Sequence, residues 1–232
     1  MTTTGKRNDR VVQLLLERYG TTFAEEAGIP VKDQPSPLYR LLVLCVLLAA
    51  PVSWTLGVAA ARALAAGGLR TAKAMLDSEW QQRVELLSGA GYRRFDERTA
   101  TVLGDGAELV VERWSGDLRR LRDEAEDAAG IQKLLRQVPG IGPVAAVIFC
   151  REAQAVWPVL VPFADDRVLD GAGRAGLPSS PAALAGLVPS QDFPRLAAVC
   201  VRATLDADVL VFLEEELGAP GSRERVVLAP KP

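Results

Sequence analysis

The chain has 232 residues, a hydrophobic content of 49% and a formal net charge of −2, which is enough apolar material for one large domain or two small interlocked ones. That charge balance argues against holding nucleic acid by charge alone, where neutralised phosphates dominate affinity. Histidine is absent, which excludes Ser-His-Asp triads, Cys-His dyads, His-ligated zinc or haem and an imidazole base, and leaves acid–base work near neutral pH to carboxylates.

Met1 to Arg10 is polar and mildly basic, without the apolar stretch of a signal peptide, and is expected to be a disordered arm. Val11, Val12, Leu15, Leu16 and Tyr19 share one helical face, and Gly20 ends that helix. Gly28 to Ser36 reads as a loop with two prolines; helices are predicted over 37–49, 54–66 and, more briefly, after Thr71. Leu41 to Ala61 carries no charge and is long enough to span a bilayer. Pro51 and Ser53 split it, however, and its second half is mostly small residues, so it is read as buried core and no membrane partner is expected.

Asp77 to Leu87 is predicted helical, with Gly89 and Gly91 as breakers. Asp96 to Trp114 is a long helix striped by Leu103, Ala107, Val110, Val111 and Trp114. Asp117 to Ala129 reads as a charged surface helix. Helices over 130–137 and 143–153 flank a turn, with Pro143 where a first helical turn tolerates proline. Val156 to Phe163 is apolar connecting chain, and Asp165 opens a helix to about Gly173. Ser180-Pro181 starts the next, and helices over 194–203 and 206–217 follow, closed by Gly218 and Pro220. Neither strand alternation nor an internal repeat is visible, so the expected class is all-α.

The turn carries the chemistry. In Val138-Pro139-Gly140-Ile141-Gly142 two glycines bracket one apolar residue between two helices, a helix-hairpin-helix pattern. Glycine lets the backbone turn tightly and approach a ligand closely, and the unpaired N–H groups of such a turn and of the next helix's first turn are a ready phosphate site. The acidic pair Asp165-Asp166 stands some twenty residues downstream. Arg93, Arg94 and Arg98 form one basic cluster, and Arg119, Arg120 and Arg122 another; a solvated helix surface explains either.

Residues from about Val11 to Leu177 resemble the helix-hairpin-helix/Gly-Pro-Asp superfamily of DNA glycosylases, endonuclease III being the familiar member. The resemblance rests on Val138 to Gly142, followed in family order by Asp165, Val168, Arg174, Gly176 and Leu177. Pro37 to Val43 resembles the family's first barrel helix and Gly89 to Arg94 its Gly-Tyr turn. It implies two helical lobes: 36–150 a barrel ending in the hairpin, and 11–35 with 151–232 a terminal lobe. It also implies DNA as partner, with Pro139, Gly140, Ile141, Gly142, Val144 and Arg167 as DNA-binding positions. Ala50, Trp54 and Tyr92 are implied as a base pocket, since an aromatic can stack on an extruded base.

The departures are as informative. Val144 stands where members that also cut the backbone carry lysine, and Lys6, Lys32, Lys73, Lys133 and Lys231 all lie elsewhere. Ala50 stands where the family inserts a glutamine into DNA. Cys45, Cys150 and Cys200 are too scattered for the family's four-cysteine iron–sulfur site or for a disulfide framework, so no cofactor or metal is expected, and an odd count suits the reducing cytoplasm. The amphipathic helix carrying Val209, Leu210, Phe212 and Leu213 can take the cluster's place by burial.

The resemblance therefore implies a monofunctional DNA N-glycosylase, cytoplasmic and nucleoid-associated when bound to DNA, that hydrolyses the bond to a damaged base with Asp165. Asp166 is the rival carboxylate. Asp165 also reads as an ordinary helix N-cap, which keeps a carboxylate ionised and is compatible with catalysis. The other functional reading is a non-catalytic helix-hairpin-helix protein that binds DNA or serves as a scaffold.

Overall fold

A computed structural model describes residues 3–218. Among them the secondary structure is helical, without a strand, as the sequence pattern requires. The chain divides into two compact units, Thr22–Phe163 and Met1–Thr21 with Ala164–Pro232.

The larger unit opens with a helix absent from the sequence expectations, α2 (Phe23–Glu26), following α1 (Thr3–Tyr19) of the smaller unit. A reciprocal capping box starts α2: the Thr22 hydroxyl accepts the Glu25 N–H, and the Glu25 carboxylate accepts the Thr22 N–H at 2.7 Å. The Thr-x-x-Glu signature was there to be read. α3 (Pro35–Ala49) is buried nearly all round, with Leu38, Tyr39, Leu41 to Cys45 and Leu47 inside. It packs against α4 (Trp54–Ala66), whose N-cap Ser53 bonds the Leu56 N–H. The uncharged stretch is therefore two core helices broken at 50–53, and no described helix is long and apolar enough to cross a membrane.

Next come α5 (Ala72–Leu76), α6 (Trp80–Gly89) and α7 (Asp96–Trp114), with α5 and α6 packed on α7. The expected helix from Asp77 starts later because Asp77 is the C-cap of α5. Arg83, itself buried, ties these segments by donating to the carbonyls of Met75, Ser78 and Ala100 at 2.7–3.2 Å.

The single helix expected over 117–129 is two, α8 (Leu118–Glu124) and α9 (Ala128–Leu135). A second aspartate cap breaks it: Asp127 accepts the Gly130 N–H at 2.8 Å, so the hairpin's first helix begins at 128. α10 (Pro143–Ala153) starts and ends where the sequence predicts, packs on α3, and leads into a 3-10 turn at Pro158–Leu160.

In the smaller unit the arm is corrected. Residues 3–10 are helical, continuing α1, and Arg7 is anchored by donating to the Gly176 carbonyl at 3.2 Å. Residues 1 and 2 of the arm lie outside the described residues. Val11, Val12, Leu14 and Leu15 are buried. α11 (Asp166–Arg174), α12 (Pro181–Ala185), α13 (Phe193–Leu205) and α14 (Asp208–Leu217) follow. α13 is the central helix, packed by α1, α11 and α14. At the end of α1, Arg195 and Arg202 donate to the carbonyls of Gly20 and Thr21 at 2.8 and 2.9 Å, satisfying groups that the helix leaves open. In α14, Val209 and Leu213 are buried while Leu210 and Phe212 are half-buried, Phe212 meeting Tyr19 edge-on at 5.6 Å. Pro220, expected to close this helix, lies outside the described residues.

Candidate nucleic-acid interface

The turn joining α9 to α10 is built from the inside out. Val138 and Ile141 are buried, and the Ile141 N–H donates to the Val138 carbonyl at 3.0 Å. Pro139 and Gly140 form the corner, Gly140 at φ +86° as a type II turn demands. A Cβ on Gly140 would lie 2.3 Å from Cγ1 of Val102, so α7 sets the hairpin's seat. Ile141 thus contributes an anchor to the core rather than a side chain to a ligand.

Gly142 differs in kind. Its backbone is extended (φ −82°, ψ −176°), open to any residue, and a Cβ there would meet nothing within 4 Å. The fold requires glycine at 140 and does not require it at 142. Gly142 is the N-cap of α10 and offers no capping side chain, and Pro143 has no N–H. The N–H groups of Gly140, Gly142, Val144 and Ala145 find no acceptor among the described residues. Gly140, Gly142 and Val144 are exposed, Val144 at 58%.

A groove of about 440 Å³ runs beside these groups. Its walls are Gly140 and Gly142 to Ala145, the end of α3 with Val46, Ala49, Ala50 and Pro51, and the start of α7 with Phe95, Arg98, Thr99 and Val102. The lining is mostly apolar, and Arg98 is its charged side chain. The α7 residues recur at helical spacing, a second stripe on that helix that the core stripe alone did not single out.

Of the expected base-pocket residues, the structure brings only Ala50 to this groove. Trp54 is half-buried and meets Phe23 edge-on at 5.6 Å. Tyr92 is buried at 1% exposure, so its ring is not offered for stacking; burial pushes its phenol up, opposed by the Thr99 hydroxyl. The two basic clusters separate as well. Arg119 pairs with Asp117 at 2.7 Å, while Arg122 pairs with Asp33 and Asp123 and lies over the Trp157 ring. Arg93, Arg94 and Arg98 remain exposed, without an ion pair among the described residues, Arg94 over the Phe95 ring at 5.2 Å.

Asp165 belongs to the smaller unit. It is half-buried at the N-cap position of α11, but its side chain makes no capping hydrogen bond to that helix, contrary to the N-cap expectation. Asp166 is the first helical residue and is exposed. Arg167 is exposed too, and Asp170, one turn further on, pairs with Arg174 at 2.8 Å. The three cysteines are buried singly as free thiols, and no cluster of three His, Cys, Asp or Glu side chains fit to hold a metal occurs among the described residues.

No protein-family model and no curated protein sequence matches the chain. Its fold, however, is one already known: an all-helical fold like that of endonuclease III. One similar structure is an endonuclease III–DNA covalent intermediate trapped with an estranged adenine, 16% identical, covering 87% of this chain and 86% of that one at a TM-score of 0.50. Another is a non-covalent endonuclease III–DNA complex, 15% identical over the same shares at a TM-score of 0.51.

Proposed function

We propose that this chain is a DNA repair protein that holds a backbone phosphate on the hairpin and acts as a monofunctional DNA N-glycosylase on a damaged base. The observation that carries the reading is Gly142: a glycine the fold does not need, at the head of α10, among N–H groups without acceptors. A Cβ-free position costs nothing to replace unless something outside the protein approaches it. The fold shared with endonuclease III, solved in complexes with DNA, supports DNA as that ligand. Pro139, Gly140 and Ile141 shape the hairpin, Gly142 and Val144 present their amides, and Arg167 is assigned as a further DNA contact.

The chemistry follows from what the groove lacks. Val144 has no amine, so no Schiff base forms there and water is the nucleophile. Asp165 is the carboxylate we assign to activate that water or to stabilise the developing oxocarbenium ion, with Asp166 as the rival. The test is base release from duplexes carrying oxidised, alkylated and deaminated bases, with abasic sites revealed by alkali. Release by the wild type and its loss in Asp165→Asn is the expected result. Binding without release from any substrate would replace the enzyme with a DNA-binding or scaffolding protein. Failure of the wild type to bind DNA at low salt would refute both.

A further inference from the structure

We propose that Arg98 completes the hairpin's phosphate site, gripping the DNA backbone that the hairpin amides hold. This rests on the DNA-binding reading above and adds a residue that the hairpin pattern does not contain. Arg98 is one turn before Val102, the residue on which Gly140 is seated, so the same face of α7 that fixes the turn also brings a guanidinium to its groove. It is the charged side chain in a lining otherwise made of apolar groups, a Thr99 hydroxyl and the open amides.

What distinguishes it is that it lines the groove and, among the described residues, has no partner; Arg93 and Arg94 make no ion pair either but do not line it. Arg113, Arg119, Arg122, Arg174 and Arg195 all pair with carboxylates. Among the described residues Arg98 makes no ion pair or hydrogen bond, and no carboxylate lines the groove. Asp96, two residues before it, accepts the Glu97 N–H at 2.9 Å. A cation and several unpaired N–H groups around one groove sum to a local positive site in a chain whose net charge is −2. A phosphate fits that site: its oxygens accept from planar guanidinium and backbone donors together.

The experiment measures affinity for an undamaged duplex against salt for wild type, Arg98→Gln, Arg98→Lys and Arg62→Gln. Arg62 is an exposed arginine of α4 outside the groove and controls for charge alone. Arg98→Gln should weaken binding about tenfold at low salt and flatten the slope of log K against log salt by about one, equally on duplexes of different sequence. Arg98→Lys should restore the slope. Equal slopes for wild type and Arg98→Gln, or equal losses in Arg98→Gln and Arg62→Gln, would overturn the assignment while wild-type binding left the DNA reading standing. Loss confined to one duplex sequence would make Arg98 a base reader and likewise overturn it. Melting of Arg98→Gln at the wild-type temperature confirms that folding is not what changed.

Discussion

Replacing the two hairpin glycines one at a time should separate folding from binding. At Gly140, alanine must sit at φ +86°, which costs about 1–2 kcal/mol for an L-residue. Its Cβ would also overlap Cγ1 of Val102 at 2.3 Å. Valine is stiff at χ1, so relief requires backbone movement, and overpacking of this kind costs about 1–3 kcal/mol. Gly140→Ala should therefore destabilise by about 2–5 kcal/mol, or roughly 4–20 °C in Tm for a chain of this size. Gly142→Thr is the opposite case. The position is open, its backbone is extended, and a threonine N-cap can accept the amide of the first turn of α10, so stability should hold or rise by a few tenths of a kcal/mol. The same hydroxyl occupies the donors a phosphate needs, so affinity for duplex DNA at low salt should fall at least about tenfold. Thermal melting by circular dichroism and fluorescence anisotropy read the two effects. If Gly142→Thr melted as early as Gly140→Ala, or bound DNA like the wild type, the division between a folding glycine and a ligand glycine would be wrong.

Base release should be abolished in Asp165→Asn and retained in Asp166→Asn; the reverse pattern would move the catalytic role by one residue. Borohydride should trap no covalent enzyme–DNA adduct, since Val144 offers no amine, and a trapped adduct would contradict the water mechanism. Removing Arg83 should cost several kcal/mol, since Arg83→Met leaves the carbonyls of Met75, Ser78 and Ala100 without their buried donor; a melting temperature like the wild type's would refute this. Burial pushes the Cys150 and Cys200 thiols up to about 12. Between about 9 and 12 the unfolded chain therefore binds fewer protons than the folded one, and stability should fall as pH rises, by up to about 1.4 kcal/mol per pH unit for each thiol. Urea midpoints at pH 8 and pH 10 check this; Cys150→Ala combined with Cys200→Ala should reduce the trend, Cys45, whose thiol burial also pushes up, keeping its share.

Helix positions were legible where periodicity and a stop signal agreed: 54–66, 96–114 and 143–153 are found as read. The misreadings have local causes. Asp127 is one of several acids in the 117–129 stretch, and only the structure shows that its carboxylate accepts the Gly130 N–H and starts a new helix. Thr22 and Glu25 form a capping box whose signature stands in the sequence, but the four-residue helix it starts has no apolar stripe to confirm it. Residues 3–10 carry no apolar periodicity and take helical form as an extension of a buried one, held by Arg7. The hairpin was legible because its glycines have no other ready explanation, but the pattern could not say that one serves the fold and the other does not. That distinction depends on Val102, 38 positions upstream of Gly140. Nor could it place Tyr92 inside the core or choose Arg98 over Arg119, whose difference lies in which carboxylates reach them.

Gly171 determines how precisely Asp165 can be aimed. A Cβ on Gly171 would stand 1.8 Å from the Cys200 carbonyl oxygen, so α11 lies against α13 nearly backbone to backbone at that point. Asp165 is six residues away, about 9 Å along the helix axis. The helix is then a lever with its fulcrum at Gly171. A single methyl group at the fulcrum must lift or tilt the arm, and the tilt is delivered in full at the carboxylate end. Gly171→Ala would therefore shift the Asp165 carboxylate through a residue in the interior, so the position of that acid is set as much by a buried glycine as by its own backbone.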